Sequence, residues 1–127
     1  MYRDRSGRLS DAVQKIVGER KLVFTRFFQQ EILQGSRDEA EWTLIQDHLA
    51  EQTYLEAREG TWVGAARIYF DLRRKGRTVR SSVDCCIAQL VIENDALLLH
   101  DDRDFEVIAD VRPLRQQRFR VDPPTQG

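Results

Sequence analysis

Apolar residues recur along this chain in two rhythms, a three-to-four spacing and short unbroken runs, and the two alternate. Leu9, Val13, Ile16 and Val17 are spaced as one face of a helix that Gly18 stops. KLVFT, Lys21 to Thr25, has the β-branched and aromatic content of a buried strand. Helical spacing resumes through Phe28 and Ile32 to Gly35, and again from about Asp38 to Leu49, with Trp42, Ile45 and Leu49 on one stripe. QTYLE, Gln52 to Glu56, reads as a short strand. Trp62, Ala65, Ala66, Tyr69 and Leu72 predict a long amphipathic helix ending near Gly76. Ser81 or Ser82 opens a further helix through Val83, Ile87, Leu90 and Val91, apolar almost all round and therefore expected to be central. ALLLH (Ala96 to His100) predicts a strand, RDFEVIA a short helix and LRQQRF a last strand. Strands interleaved with helices predict an α/β layer with a mostly parallel sheet. Ligands bind beyond the carboxyl ends of the strands in such sheets, which directs attention to the residues just after ALLLH.

The totals narrow the picture without pointing to a function. The 127 residues make one domain, expected over 1–121, with the proline-bearing tail 122–127 disordered. A net charge of −1 offers no overall attraction to nucleic acid, so any such binding rests on local clusters. Cys85 and Cys86 are adjacent within an apolar run and read as buried thiols of a reducing compartment. No apolar stretch has membrane-spanning length and the N-terminus lacks a signal-peptide core, so the expected location is the cytoplasm.

Directly after ALLLH the chain places Asp101, Asp102 and Asp104 within four positions. Asp102 suits the N-cap of the RDFEVIA helix and Asp104 its first turn, which accounts for two acids, while Asp101 has a simple reading as a solvated residue. Asp84 stands three residues after Ser81 in a capping-box arrangement, at the mouth of the apolar helix. Glu31 falls one turn beyond Phe27 and Phe28 and so interrupts an apolar stripe; it is either a border residue reaching solvent or a carboxylate held by a partner or a cation. Taken together these acids are hard oxygen donors of the kind that hold Mg²⁺ or Mn²⁺. There is no Cys/His spacing for zinc and no glycine-rich phosphate loop, and His48 and His100 read as surface and strand-end residues. Basic residues crowd the same approach: Arg73, Arg74, Lys75, Arg77 and Arg80 before the Asp84 helix, Arg103 among the acids, then Arg112, Arg115, Arg118 and Arg120. A solvated helix end explains many such runs. A basic rim around an acidic pocket is also what a metal-dependent nuclease requires.

Three blocks, QQEILQG (Gln29 to Gly35), TVRSSVDCCIAQLVIEND (Thr78 to Asp95) and LLLHDDRDFEVIA, resemble in order and spacing the signature blocks of PIN-domain proteins, specifically VapC-type toxins of bacterial toxin–antitoxin pairs. The resemblance implies a compact α/β/α sandwich around a mostly parallel sheet and a Mg²⁺- or Mn²⁺-dependent endoribonuclease, the toxin of a type II pair. It implies that Glu31, Asp84 and Asp102 are catalytic metal ligands, with Asp104 auxiliary and Ser82 supporting the acidic site. Arg77, Arg80 and Arg103 are the candidates for substrate phosphates. The implied partners are RNA, a second copy of the chain, and a VapB-like antitoxin whose C-terminal segment wraps the active-site groove. The family's opening strand, with its aspartate, has no counterpart here: MYRDRSGRLSDAVQKIV resembles the family segment just after that block, and Asp4 falls in the next loop. A domain short of that strand and acid leaves two readings open, a nuclease and a catalytically impaired PIN-like module that docks an antitoxin peptide or RNA.

Overall fold

A computed structural model describes residues 22–119 of the chain. The expected helix over residues 9–17, Asp4, Arg120 and the tail 122–127 lie outside them. In chain order the elements are β1 (Phe24–Thr25), α1 (Arg26–Gln34), α2 (Glu39–Ala50), β2 (Tyr54–Leu55), α3 (Thr61–Arg74), α4 (Ser82–Glu93), β3 (Leu98–His100), α5 (Arg103–Ala109) and β4 (Gln116–Arg118).

Most helix starts are written locally. Thr25 Oγ1 accepts the Phe28 N–H at 3.2 Å, and Asp38 Oδ1 accepts the Glu41 N–H at 2.8 Å. Ser81 Oγ accepts the Val83 N–H at 3.1 Å. Each side chain satisfies a donor that the first turn of its helix leaves without an internal partner. Thr25 also explains why KLVFT yields only a two-residue strand. Once its hydroxyl caps α1, the chain must turn into the helix at Arg26. The other strands are likewise cores of the predicted runs.

All strand pairs are parallel, as the alternating pattern predicts, yet the described strands do not form one central sheet. β1 pairs with β2, Phe24 opposite Tyr54 and Thr25 opposite Leu55. β3 pairs with β4, Leu98 opposite Gln116 through His100 opposite Arg118. Among the described residues no strand joins the two pairs.

The core lies where α3, α4 and α5 meet. Ala65, Ile68 and Leu72 of α3 pack with Cys85, Ala88 and Val91 of α4 and with Phe105, Val107 and Ile108 of α5. Truncating a fully buried Ile68 or Leu72 to Ala would cost about 2–5 kcal/mol. The buried stripe of α3 is therefore Thr61, Ala65, Ile68 and Leu72. Trp62, Ala66 and Tyr69, which helical spacing assigns to the buried face, point outward instead. α3 carries two apolar stripes roughly a quarter-turn apart, and only packing with α4 and α5 decides which one is covered. Likewise Trp42 is exposed on α2, its indole N–H donating to Gln46 Oε1 at 3.1 Å, while Leu49 is buried. α4 is the central helix its composition predicts, and both thiols are free; burial pushes the Cys85 thiol up to about 11, which keeps it protonated.

Two polar features hold α3 in place. Thr61 is fully buried, and its hydroxyl donates to Glu93 Oε2 of α4 at 2.7 Å while accepting the Arg58 N–H at 2.7 Å. At the other end Gly76 takes φ 72°, and the Gly76 and Arg77 N–H groups close back on Arg73 and Leu72 carbonyls at 3.0 and 2.9 Å. This left-handed termination favours glycine and turns the chain toward the start of α4. None of the described helices is long and apolar enough to cross a membrane.

Candidate metal centre

Three acids from two helix starts converge. Asp84 stands in the first turn of α4, Asp102 caps α5 and Asp104 lies in the first turn of α5. A carboxylate oxygen from each falls within 4.8 Å of the others. Asp102 is the cap that the sequence predicts: its Oδ1 accepts the Asp104 N–H at 2.9 Å. The Ser81 hydroxyl alone supplies the α4 cap, which leaves the Asp84 carboxyl to face Asp104.

Arg80 stitches the acids together from above. Its backbone N–H donates to Asp104 Oδ2 at 2.8 Å, and its guanidinium donates to Asp102 Oδ2 at 2.9 Å. From below, the buried His100 sets the position of Asp102. His100 Nδ1 accepts the Asp102 N–H at 3.1 Å, so the ring proton sits on Nε2 and is donated to Gln116 Oε1 at 2.6 Å. The imidazole also packs against the Phe105 ring at 5.0 Å. Sequence spacing does not reveal the roles of His100 and Gln116; its one signal is a histidine ending a strand two residues before the cap.

The electrostatics follow from this crowding. Burial, the adjoining Asp104 carboxyl and the charge on Asp102 push the Asp84 carboxyl up to about 7, against the opposing pull of Arg80. Asp102 goes the other way: the Asp104 N–H first, then Arg80, hold its carboxyl below the usual carboxylate range. Asp84 thus retains its proton toward neutrality beside the charged Asp102. A site with this much unbalanced negative charge suits a divalent cation, which would replace that proton and relieve the repulsion. Asp84, Asp102 and Asp104 fit such an ion by donor type and separation.

The remaining expected residues are not among these three acids. Glu31 is exposed on α1 and is not one of the three acids within ligand distance. α1 has no buried residue, so among the described residues the apolar stripe that Glu31 interrupts does not join the α3–α5 core. Arg77 is engaged with Asp110 at 2.6 Å. Asp101 is not simply solvated, since Arg118 bridges it at 3.1 Å and Glu106 at 2.6 Å. Ser82 is exposed at the first position of α4, and Arg103 is exposed beside the cluster without an ion pair among the described residues.

No protein-family model matches the chain. Curated relatives do. VapC ribonuclease Mb1587 of Mycobacterium bovis and ribonuclease VapC11 of Mycobacterium tuberculosis are each 38% identical to it over 91 residues, covering 71% of this chain and 68% of the relative. The chain belongs to the VapC ribonuclease family. Solved structures agree on the fold. A chain of VapBC-1 from nontypeable Haemophilus influenzae superposes with a TM-score of 0.69 at 20% identity, over 91% of this VapC homologue and 87% of that chain. A chain of VapBC2 from Rickettsia felis, solved bound to a DNA fragment from its promoter, gives 0.67 at 14% identity over 87% and 84%. The mixed α/β fold with parallel strands is therefore that of VapBC toxin–antitoxin structures, and the acidic cluster lies within a VapC-family chain.

Proposed function

We propose that this VapC homologue is the toxin of a type II toxin–antitoxin pair, a single PIN-type α/β/α domain over residues 1–121 that hydrolyses RNA phosphodiester bonds with Mg²⁺ or Mn²⁺. The observation that carries the reading is the convergence of Asp84, Asp102 and Asp104 oxygens within 4.8 Å, in a chain of this family. Asp84 and Asp104 would bind the ion directly. Asp102, whose two oxygens already accept from Asp104 and Arg80, would bind directly or through water. Glu31 enters through the family resemblance alone, as a fourth carboxylate acting through water. When bound, such an ion lowers the pKa of a coordinated water and stabilises charge on the phosphate. The protein's own contribution is to hold the acids in register. His100 positions Asp102, the Arg80 backbone positions Asp104, and the Arg80 side chain can exchange Asp102 for a substrate phosphate at the mouth of the site. Ser82, Arg77 and Arg103 would serve as further polar and phosphate contacts, Arg77 after release from Asp110. In this reading the partners are RNA, a VapB-like antitoxin segment across the groove and a second copy of the chain.

The decisive experiment is RNA cleavage by the purified chain with Mg²⁺ or Mn²⁺ and with EDTA, for the wild type and Asp84→Asn. Ion-dependent cleavage lost in the variant, with RNA affinity retained, supports the nuclease. RNA or antitoxin binding with no ion-dependent cleavage in the wild type favours the impaired binding module.

A further inference from the structure

We infer that the concavity at the C-terminal end of α3 is a separate anchor for single-stranded RNA, which holds the strand away from the acid cluster; this rests on the ribonuclease reading above. The concavity is open, encloses about 300 Å³ and is lined by Asp71, Arg74, Lys75 and Arg112. Its one carboxylate is already saturated. Arg112 donates to Asp71 Oδ2 at 2.6 Å and Arg67 to Oδ1 at 3.0 Å. Arg74 and Lys75 have no ion pair among the described residues, so the lining has unmatched positive charge and no acid left to neutralise it.

Complementing the α3 dipole would explain Arg73 and Arg74 alone. It does not explain Arg112, which arrives from beyond α5 to line the same hollow. Nor does it explain the aromatic bed beside it. Arg67 and Arg74 lie over Phe70 at 4.8 and 5.6 Å, and Arg73 over Tyr69 at 6.0 Å, while both rings stay partly open to solvent. Exposed rings and guanidinium planes stack bases, and unpaired cations hold phosphates; together they form a sequence-tolerant surface for a single strand. The hollow is also close to the cluster along the chain. From Lys75 the chain passes Arg77 and reaches Arg80 in five residues, at most about 18 Å of extended backbone, so a strand of a few nucleotides can span both.

The test measures binding of the full chain to a fluorescent mixed-sequence RNA in EDTA across a salt series, comparing the wild type with Arg74→Ala/Lys75→Ala. Both residues are exposed, and circular dichroism melts check the fold. Losing two phosphate contacts should lower the slope of log affinity against log salt by about 1.4 and weaken binding about tenfold at low salt. Arg73→Ala should produce a smaller loss. Ion-dependent cleavage of a substrate too short to leave the acid cluster should be unchanged in the double variant. An unchanged slope and affinity, with cleavage intact, overturns the anchor and leaves the nuclease reading standing. Absence of both RNA binding and cleavage in the wild type overturns both. Loss of acidic-peptide binding in the double variant, with RNA affinity intact, reassigns the face to a protein.

Discussion

Replacing Asp84 with Asn should stabilise the ion-free protein at alkaline pH, and the size of the gain comes from the cluster. Asp84 shares one pocket with two other carboxylates, and its carboxyl is pushed up to about 7. Holding a carboxyl near 7 instead of near 3.8 corresponds to about 4 kcal/mol of preference for the protonated form. The residue is only half-buried, and solvent screening reduces the usable part to roughly 1–2 kcal/mol. Because the folded value lies above the unfolded one, the stability contributed by the protonated group is complete below about pH 4. It is lost as pH rises through about 7. Asp102, shifted downward, loses its contribution only as pH falls below the ordinary carboxylate range, outside that window. An Asn at position 84 keeps a neutral donor at every pH. In urea unfolding with EDTA, Asp84→Asn should therefore gain roughly 1–2 kcal/mol over the wild type at about pH 8 and almost nothing at about pH 4. Mn²⁺ should then raise wild-type stability, by about 2.7 kcal/mol at a hundredfold excess over its Kd, and leave the variant nearly unmoved. A variant that is less stable than the wild type at pH 8, or that gains equally at both pH values, would refute the reasoning, because the acids would then be structural caps and not a charge-strained ion site.

The same contacts set further outcomes. Asp104→Asn should weaken Mn²⁺ binding by calorimetry at least tenfold, whereas Glu31→Gln, outside the cluster, should change it by only a few-fold. Thr61→Val keeps the side-chain volume but strands Glu93 Oε2 and the Arg58 N–H, and should cost about 1–3 kcal/mol in denaturant unfolding. Gly76→Ala forces a side chain into the left-handed region at φ 72° and should cost about 1–2 kcal/mol by the same measurement.

What the sequence determined by itself is whatever is encoded within a turn or two of chain. Thr25, Asp38, Ser81 and Asp102 cap the helices they precede because a side-chain oxygen and the donor it satisfies lie two or three residues apart. The order of elements and the parallel sense of the strands were legible for a related reason, since helical crossovers return the chain in the same direction. Burial was not legible in this way. Trp62 and Tyr69 follow helical spacing as faithfully as Ile68 and Leu72, and only the packing of α4 and α5 against α3 covers one stripe and leaves the other in solvent. Glu31 sits in an apolar context along the chain, yet its helix contributes nothing to the core that the described residues form. The division of the described strands into two pairs also depends on neighbours that no local pattern encodes. The acids show both sides. Asp84 and Asp102 are marked as helix-start residues by spacing, but a cap explains each of them alone. Only the tertiary structure brings the α4 and α5 starts together, and carboxylates well separated along the chain then become one pocket with a charge none would carry separately.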